Sequence, residues 1–256
     1  LLLPSPWAVV RSFCGLAQTT EFYRSILHTL LRVAAGFAAG MAAGLLAGTL
    51  TAFSRAADVL LTPLKNIIKA TPVTSFIVLI LLYFSSNVTP SAVAFLAVLP
   101  ICWSNVCEGL RQTDKKMTEL AHAYAFGRKK TLREIYFPAV RPYLSAAATT
   151  GLGFAWKSCV AAEVIALSKN SVGRALYESK LYLETAELFA WTASVVLISV
   201  LFEKLLVHKL FKNKNTEGAA GRRSESLEHG HASCEAELQY KSDAYAEYGR
   251  DEERNI

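Results

Sequence analysis

Long apolar segments recur along this chain, and their recurrence limits its fold more than any other feature. They cover roughly residues 30–53, 73–84, 91–106, 143–167 and 188–207. A helix crosses a bilayer with about 20 apolar residues, and in lipid its backbone polar groups must pair within the segment. The sequence therefore predicts an all-α, polytopic membrane helical bundle with about five spans.

Composition and charge agree with a membrane protein. The chain is 52% hydrophobic with a mean hydropathy of +0.28, which is too apolar for an ordinary soluble domain. Residues 1–215 carry 22 basic and 11 acidic side chains. The basic residues flank apolar spans and form no patch interleaved with aromatics, which favours contact with membrane lipid headgroups over nucleic acid.

The distribution of Lys and Arg predicts the orientation. With residues 111–142 on the cytoplasmic side, fifteen basic residues lie inside and five outside, as the positive-inside rule requires. This gives an external segment 1–29, a transmembrane domain 30–214 and a Gly-, Ser- and Glu-rich cytoplasmic tail, 215–256, which we expect to be disordered.

No set of residues points to catalysis, a metal or a cofactor. The five cysteines form no CxxC pair, and those inside apolar spans are expected to act as small hydrophobes. His229, His231 and Cys234 of the tail are only a compositional hint of metal binding. No grouping of Ser, His and acid recurs on one helix face.

Four glycines stand at intervals of four residues in the first long apolar segment: Gly36, Gly40, Gly44 and Gly48. Residues at this spacing share one side of a helix, and small side chains there let a neighbouring helix approach closely in lipid. We expect a packing seam; the alternative is a flexible Gly/Ala-rich helix.

A basic, helix-prone stretch, the docking loop (residues 111–142), separates two apolar segments. Gly127 can adopt a left-handed conformation at low cost, and Pro138 is expected to end a helix near its preceding residue. This predicts a short helix, a break and a second short helix, each with one apolar side formed by Leu120, Tyr124, Leu132, Ile135 and Tyr136. A loop that only fixes membrane orientation is the alternative.

The docking loop also resembles the EAA loop of ABC-transporter permeases. Their pattern of Glu-Ala-Ala, a glycine, an isoleucine and Leu-Pro is similar to Glu119, Leu120, Ala121, Ala125, Ile135, Phe137 and Pro138. Ala125 stands at the glycine position and Phe137 at the leucine position, while Gly127 follows two residues after Ala125. In that family the loop inserts into a groove on a cytoplasmic ATPase, so the resemblance implies that these residues couple to one.

The segment GLGFAWKS, residues 151–158, is not a phosphate-binding loop. That motif needs Gly directly before Lys, but Trp156 stands there, and the segment lies in an apolar span. We expect ATP to be bound by a partner.

Trp156, Lys157 and Glu163 are candidates for the solute pathway, because ionisable groups at membrane depth usually face a cavity or a partner. Lys157 and Glu163 lie about 240° apart around a helix and are not expected to pair. A Glu163 side chain that caps the span by reaching the headgroups is the alternative. The stretch FAWKSCVAAEVIA resembles the AWK-x-x-V-x-A-E signature of nitrate/sulfonate/taurine permeases, as do LPSP near the N-terminus, His28-Thr29-Leu30 with Arg32, and Thr71-Pro72-Val73.

The resemblance covers about residues 2–210 and implies a type I ABC importer permease. The partners that it implies are a second, identical permease copy, two cytoplasmic ATPases and an external solute-binding protein. The expected solute is a small anion of the sulfonate, nitrate or taurine kind, or a vitamin precursor. Family members usually have one further span before LPSP, which we expect to be missing here. The rivals are a membrane scaffold or sensor without transport, and an intramembrane enzyme using Lys157 and Glu163.

Overall fold

Helices make up every element of residues 4–211, the part of the chain that the computed structural model describes. In chain order they are α1 Pro6–Leu16, α2 Thr20–Phe53, α3 Arg55–Ala70, α4 Val73–Tyr83, α5 Thr89–Arg111, α6 Lys115–Ala123, α7 Arg128–Thr131, a π-helical segment Leu132–Tyr136, α8 Phe137–Ala166, α9 Val172–Leu181 and α10 Thr185–Phe211. The predicted tail, 215–256, lies outside the described residues.

Within residues 4–211, three helices are long and apolar enough to cross a membrane: α2, α5 and residues Thr185–Phe202 of α10. The bent pair α3 and α4, which meet at an angle of 103°, is a fourth if the two count as one span. The predicted span 143–167 falls in α8, which ends at Ala166, carries Lys157 and Glu163, and is not among these helices. The predicted all-α, polytopic membrane bundle is confirmed.

The centre of the bundle is the contact between α2 and α5. All four glycines of the series are buried and face α5. A Cβ added to Gly40 would lie 2.9 Å from the carbonyl oxygen of Phe95, and one added to Gly44 would lie 2.6 Å from the Cβ of Cys102. The two backbones are therefore as close as glycine permits.

Helix α8 packs along the other side of α5. Its buried side chains join those of α2 and α5 in one apolar core, formed by Val33, Ala94, Val98, Ala155, Trp156, Cys159 and Val160. A second core nearer the docking loop joins the lower parts of α5 and α8: Cys102, Val106, Leu110, Val140 and Ala147. These contacts hold α8 against α2 and α5 along much of its length.

Helix α2 begins at Thr20, ten residues before the apolar segment 30–53. The Thr19 hydroxyl accepts a hydrogen bond from the Phe22 amide and caps the helix. Pro100 interrupts the apolar segment 91–106, and a proline there predicts a break in the helix. Helix α5 nevertheless continues through Pro100, whose side chain is buried.

Candidate functional site

The first helix of the docking loop, α6, has defined ends. The Asp114 carboxylate accepts a hydrogen bond from the Lys116 amide at 2.9 Å, as at a helix N-terminus. At the other end the Phe126 amide donates to the Ala121 carbonyl at 2.8 Å, and Ala125 is left-handed with φ of 50°. A hydrogen bond to the carbonyl five residues back, with a left-handed residue just before the donor, is the Schellman motif that ends many helices.

The left-handed residue is therefore Ala125, and the prediction for Gly127 was wrong. Gly127 has no positive φ, and a Cβ added to it would meet nothing within 4 Å. The Schellman ending fixes the left-handed position two residues after Ala123, the last residue of α6. Ala125 occupies it, at the place where the EAA pattern has glycine.

Apolar side chains of α6 and the following turn face outward. Met117 and Leu120 are each 55% exposed and Tyr124 is 70% exposed, while Glu119 is also exposed. Ala121 points inward and is buried. An amphipathic helix whose apolar residues face solvent has the character of a binding surface.

The second half of the docking loop does not end at Pro138 as predicted. The chain stays helical from α7 through the π-helical segment into α8, with Pro138 in the first turn of α8. The proline removes one backbone donor there, and the Phe137 amide directly before it donates to the Leu132 carbonyl five residues back, in the π-helical step that leads into α8. Ile135 is half-buried, whereas Phe137 and Pro138 are exposed. The loop is thus joined to α8 without a break.

The base of the docking loop is held by three helices. Arg111, at the end of α5, pairs with Asp58 of α3 at 2.5 Å. The Tyr143 hydroxyl of α8 hydrogen-bonds the Gln112 side chain, and its ring packs against Gly109 so closely that a Cβ there would lie 2.7 Å away. The start of the loop is therefore in contact with α3 and α8 as well as continuous with α5.

The opposite end of the bundle contains a buried ion pair, which we call the Glu163 cluster: Thr29, Arg32, Glu163 and Gly173. Arg32 donates to the Glu163 carboxylate at 2.9 Å, and Glu163 is fully buried. The Thr29 hydroxyl lies 2.9 Å and the Gly173 amide 3.2 Å from the same carboxylate. Charge and hydrogen bonds compensate the burial of this carboxylate, and α2, α8 and α9 are joined at one point.

The Glu163 cluster extends to the α4–α5 connection. The Arg32 guanidinium also donates to the Lys169 carbonyl at 2.9 Å, and the Lys169 amide donates to the Asn87 side chain at 3.1 Å. A Cβ on Gly173 would lie 2.4 Å from the Glu163 Cβ, so only glycine fits there.

The family model described as "Binding-protein-dependent transport system inner membrane component" matches residues 40–208, which include α5, the docking loop and α8. The chain belongs to this family. It is a multi-pass inner-membrane permease of an ABC importer, and membership implies an ATPase and a solute-binding protein as partners.

Relatives of this family match most of the chain. The chain is 27% identical over 220 residues to the putative aliphatic sulfonates transport permease protein of Bacillus subtilis, covering 84% of this chain and 79% of the relative. It is 28% identical to the protein of that description in Escherichia coli, covering 80% and 75%. The riboflavin transport system permease of Chloroflexus aurantiacus is 31% identical, covering 80% of each chain.

The three pathway candidates of this permease have different surroundings. Glu163 is inside the Glu163 cluster, so it neither reaches the headgroups nor lines a surface in this structure. Trp156 is 2% exposed, packs near Phe202, and its indole Nε1 has no hydrogen-bond partner within residues 4–211. Lys157 is exposed. Their part in solute passage stays a prediction.

Several residues at these sites were missed because their partners are distant in sequence. Arg32 is separated from Glu163 by 131 residues and Asp58 from Arg111 by 53. The available signal was a lone charge in an apolar helix, which predicts a partner without naming it. The cysteine and histidine pattern of 229–234 lies outside the described residues.

Proposed function

We propose that this permease forms the pathway for a small anionic solute and couples it to a cytoplasmic ATPase through the docking loop. The observation that carries the proposal is the solvent-facing apolar side of α6, with Met117, Leu120 and Tyr124 exposed beside Glu119. A monomer gains nothing from this exposure. A groove on a partner protein would cover these side chains.

The mechanism follows from the attachment of the loop. ATP binding closes two ATPases and shifts the two docking loops that they hold, one from each copy of a homodimer. Because Arg111, Gln112 and Tyr143 tie the base of the loop to α3, α5 and α8, that shift rotates spans between inward-facing and outward-facing states. The permease makes and breaks no bonds; it only needs a different free energy in each state.

The anionic solute class has two supports. Two relatives are named as aliphatic sulfonate permeases, although a third is named for riboflavin. Lys157 is an exposed cation on α8, within the predicted span 143–167. The solute-binding protein would select the solute before delivery, with the permease adding selection by charge.

Co-purification of this permease with its cognate ATPase tests the coupling. We expect wild type to retain the ATPase in detergent, and Glu119→Arg and Gly127→Trp to lose most of it. Gly127 has open space around it, so a tryptophan there clashes with a partner and not with the permease itself.

Glu21→Arg is the matched control, since Glu21 is an exposed carboxylate in the first turn of α2, at the opposite end of the bundle. It should retain the ATPase. If both loop variants bind as well as wild type while eluting as folded protein, the coupling proposal fails and a scaffold without transport becomes the better account.

A further inference from the structure

Helix α8 leaves one side open. From residue 146 to its end at Ala166, its exposed residues recur at intervals of three or four, while those between are buried or half-buried. That spacing defines a single face of a helix. We call it the open face of α8: Thr150, Phe154, Lys157, Ala161 and Ile165.

Lys157 is the only charged residue on this face, and it lies deep in the membrane. It is nine residues from Ala166, or about 14 Å along the helix, which is close to half of a hydrocarbon core of about 30 Å. A lysine facing lipid at that depth is costly, so such residues border water or a partner. The open face is therefore expected to be wet.

The charge of Lys157 is not neutralised by its surroundings. With the residues whose side chains the structure describes, its ammonium makes no hydrogen bond or ion pair. Glu163, the other ionisable residue in this part of α8, lies on the buried side of the helix and is paired with Arg32. A cation without a protein counter-charge attracts anions that approach through water on this face.

The open face continues into a cavity toward the docking loop. This cavity has a volume of about 250 Å³, and Thr150 and Phe154 of α8 form one wall. The bend between α3 and α4 forms the other, with Lys69 and Thr71. Among its described lining residues none is acidic. A route along this face thus passes one cation at mid-depth and a second near its inner end.

The larger cavity at the far end of the bundle is different. It measures about 700 Å³ and lies between the start of α2, α9 and the start of α10, with charged residues of both signs: Glu21, Arg24, Lys169, Arg174, Glu178, Glu184 and Glu187. Mixed charge there does not distinguish anions from cations. Any selection by charge falls to the open face.

We propose that Lys157 is a specificity-determining residue, which binds the anionic group of the solute, of the sulfonate class, as it passes along the open face of α8. This proposal rests on the proposed function, but its test needs neither the ATPase nor the solute-binding protein. The ammonium donates charge-assisted hydrogen bonds to the oxyanion and excludes cations from the same position.

The test uses two thiol reagents of equal length and opposite charge, the sulfonatoethyl and trimethylammonioethyl methanethiosulfonates. They are applied to Ala161→Cys and Phe154→Cys in membrane vesicles, in a full-length chain whose native cysteines are replaced by alanine. Both positions lie one turn from Lys157 on the open face. Ala155→Cys, which is fully buried, is the matched control and should stay unlabelled.

We expect both open-face cysteines to react, and the ratio of anionic to cationic labelling rates to fall at least about 10-fold when Lys157→Gln is added. Lys157→Arg should keep the ratio within about 2-fold, since it keeps the charge. Two cysteine positions are used so that the test still stands if one of the two variants fails to fold.

Two results overturn the proposal. If neither open-face cysteine reacts, the face lies against lipid or protein and is no route. If both react but Lys157→Gln leaves the ratio unchanged, the face is wet and Lys157 does not select charge. Loss of ATPase co-purification, by contrast, would leave these labelling rates untouched and would count only against the coupling proposal.

Discussion

A single carboxylate, that of Glu163, joins three helices at one end of the permease. It is fully buried and accepts hydrogen bonds from Thr29, Arg32 and the Gly173 amide. A buried ion pair adds little over an apolar pair of the same size, but removing one partner leaves a buried charge that nothing compensates. Replacing one member of the pair therefore measures the cost of an unpaired buried charge, and replacing both members measures the net contribution of the pair.

Arg32→Met and Glu163→Leu should each lower the free energy of unfolding by about 3–5 kcal/mol, because each leaves one member of the pair alone. The double variant should lose less than the sum by at least about 2 kcal/mol, since no buried charge remains. Thermal unfolding in detergent, followed by tryptophan fluorescence, measures all three.

Arg174→Met is the control for this cycle. Arg174 pairs with Glu178 one turn away at 2.7 Å, with both side chains more than 40% exposed. An exposed pair of this kind contributes at most about 0.5 kcal/mol. Strictly additive losses in the double variant of Arg32 and Glu163 would show that the two side chains do not stabilise the protein as a pair.

Sequence reasoning reaches part of this residue scale. The angle between Lys157 and Glu163 on a helix excludes their pairing, and the structure pairs Glu163 with Arg32 instead. The identity of that partner depends on how α2 lies against α8, which no local pattern contains. The left-handed residue of the docking loop was misplaced for a similar reason: glycine is the usual choice, but the hydrogen bonds ending α6 decide for Ala125.

At the scale of elements, the series of glycines on α2 meets α5 along its length. A Cβ on Gly44 would lie 2.9 Å from the Leu99 carbonyl oxygen, which is backbone and cannot move away alone. A Cβ on Gly153 of α8 would meet nothing within 4 Å. Both glycines are inside membrane helices, so they form a matched pair.

Gly44→Ala should lower the free energy of unfolding by about 1–3 kcal/mol, because the overlap forces α2 and α5 apart. Gly153→Ala should be neutral or stabilising by up to about 1 kcal/mol, since alanine favours the helix and clashes with nothing. Melting temperatures in detergent compare the two. Equal effects would mean that helix propensity, and not the α2–α5 contact, governs this glycine.

The helices also show which features the local sequence predicts and which depend on the surroundings. A four-residue spacing of small residues is a property of one helix, so it could be read from the sequence. Whether a proline ends a helix depends on what surrounds it: Pro100 lies inside α5 and Pro138 begins α8. Pro100 is buried within α5, whereas Pro138 is exposed and lies just after the π-helical segment, and at both positions the helix continues where a break was predicted.

At the scale of the whole molecule, α8 connects the two sites. It starts at the docking loop, carries Lys157 about two-thirds of the way along, and ends at the Glu163 cluster. Its 30 residues span about 45 Å. A shift of the docking loop would therefore reach the open face of α8 and the Glu163 cluster through one helix. An ATPase can cause that shift only if the docking loop faces the compartment that holds the ATPase.

That orientation is open to direct measurement with two matched variants, Lys116→Cys in α6 and Lys180→Cys in α9. Both residues are exposed. The native cysteines are replaced, since Cys14 is itself exposed. In intact spheroplasts a membrane-impermeant maleimide should label Lys180→Cys and spare Lys116→Cys until detergent is added.

The physical reason is the excess of fifteen basic residues on the loop side over five on the other, which holds the loop in the cytoplasm. Equal labelling of both cysteines would indicate leaky cells or two orientations, which a cytoplasmic marker enzyme distinguishes. Labelling of Lys116→Cys alone would place the docking loop outside the cell. No cytoplasmic ATPase could then reach Glu119, and coupling through this loop would be excluded whatever else the permease binds.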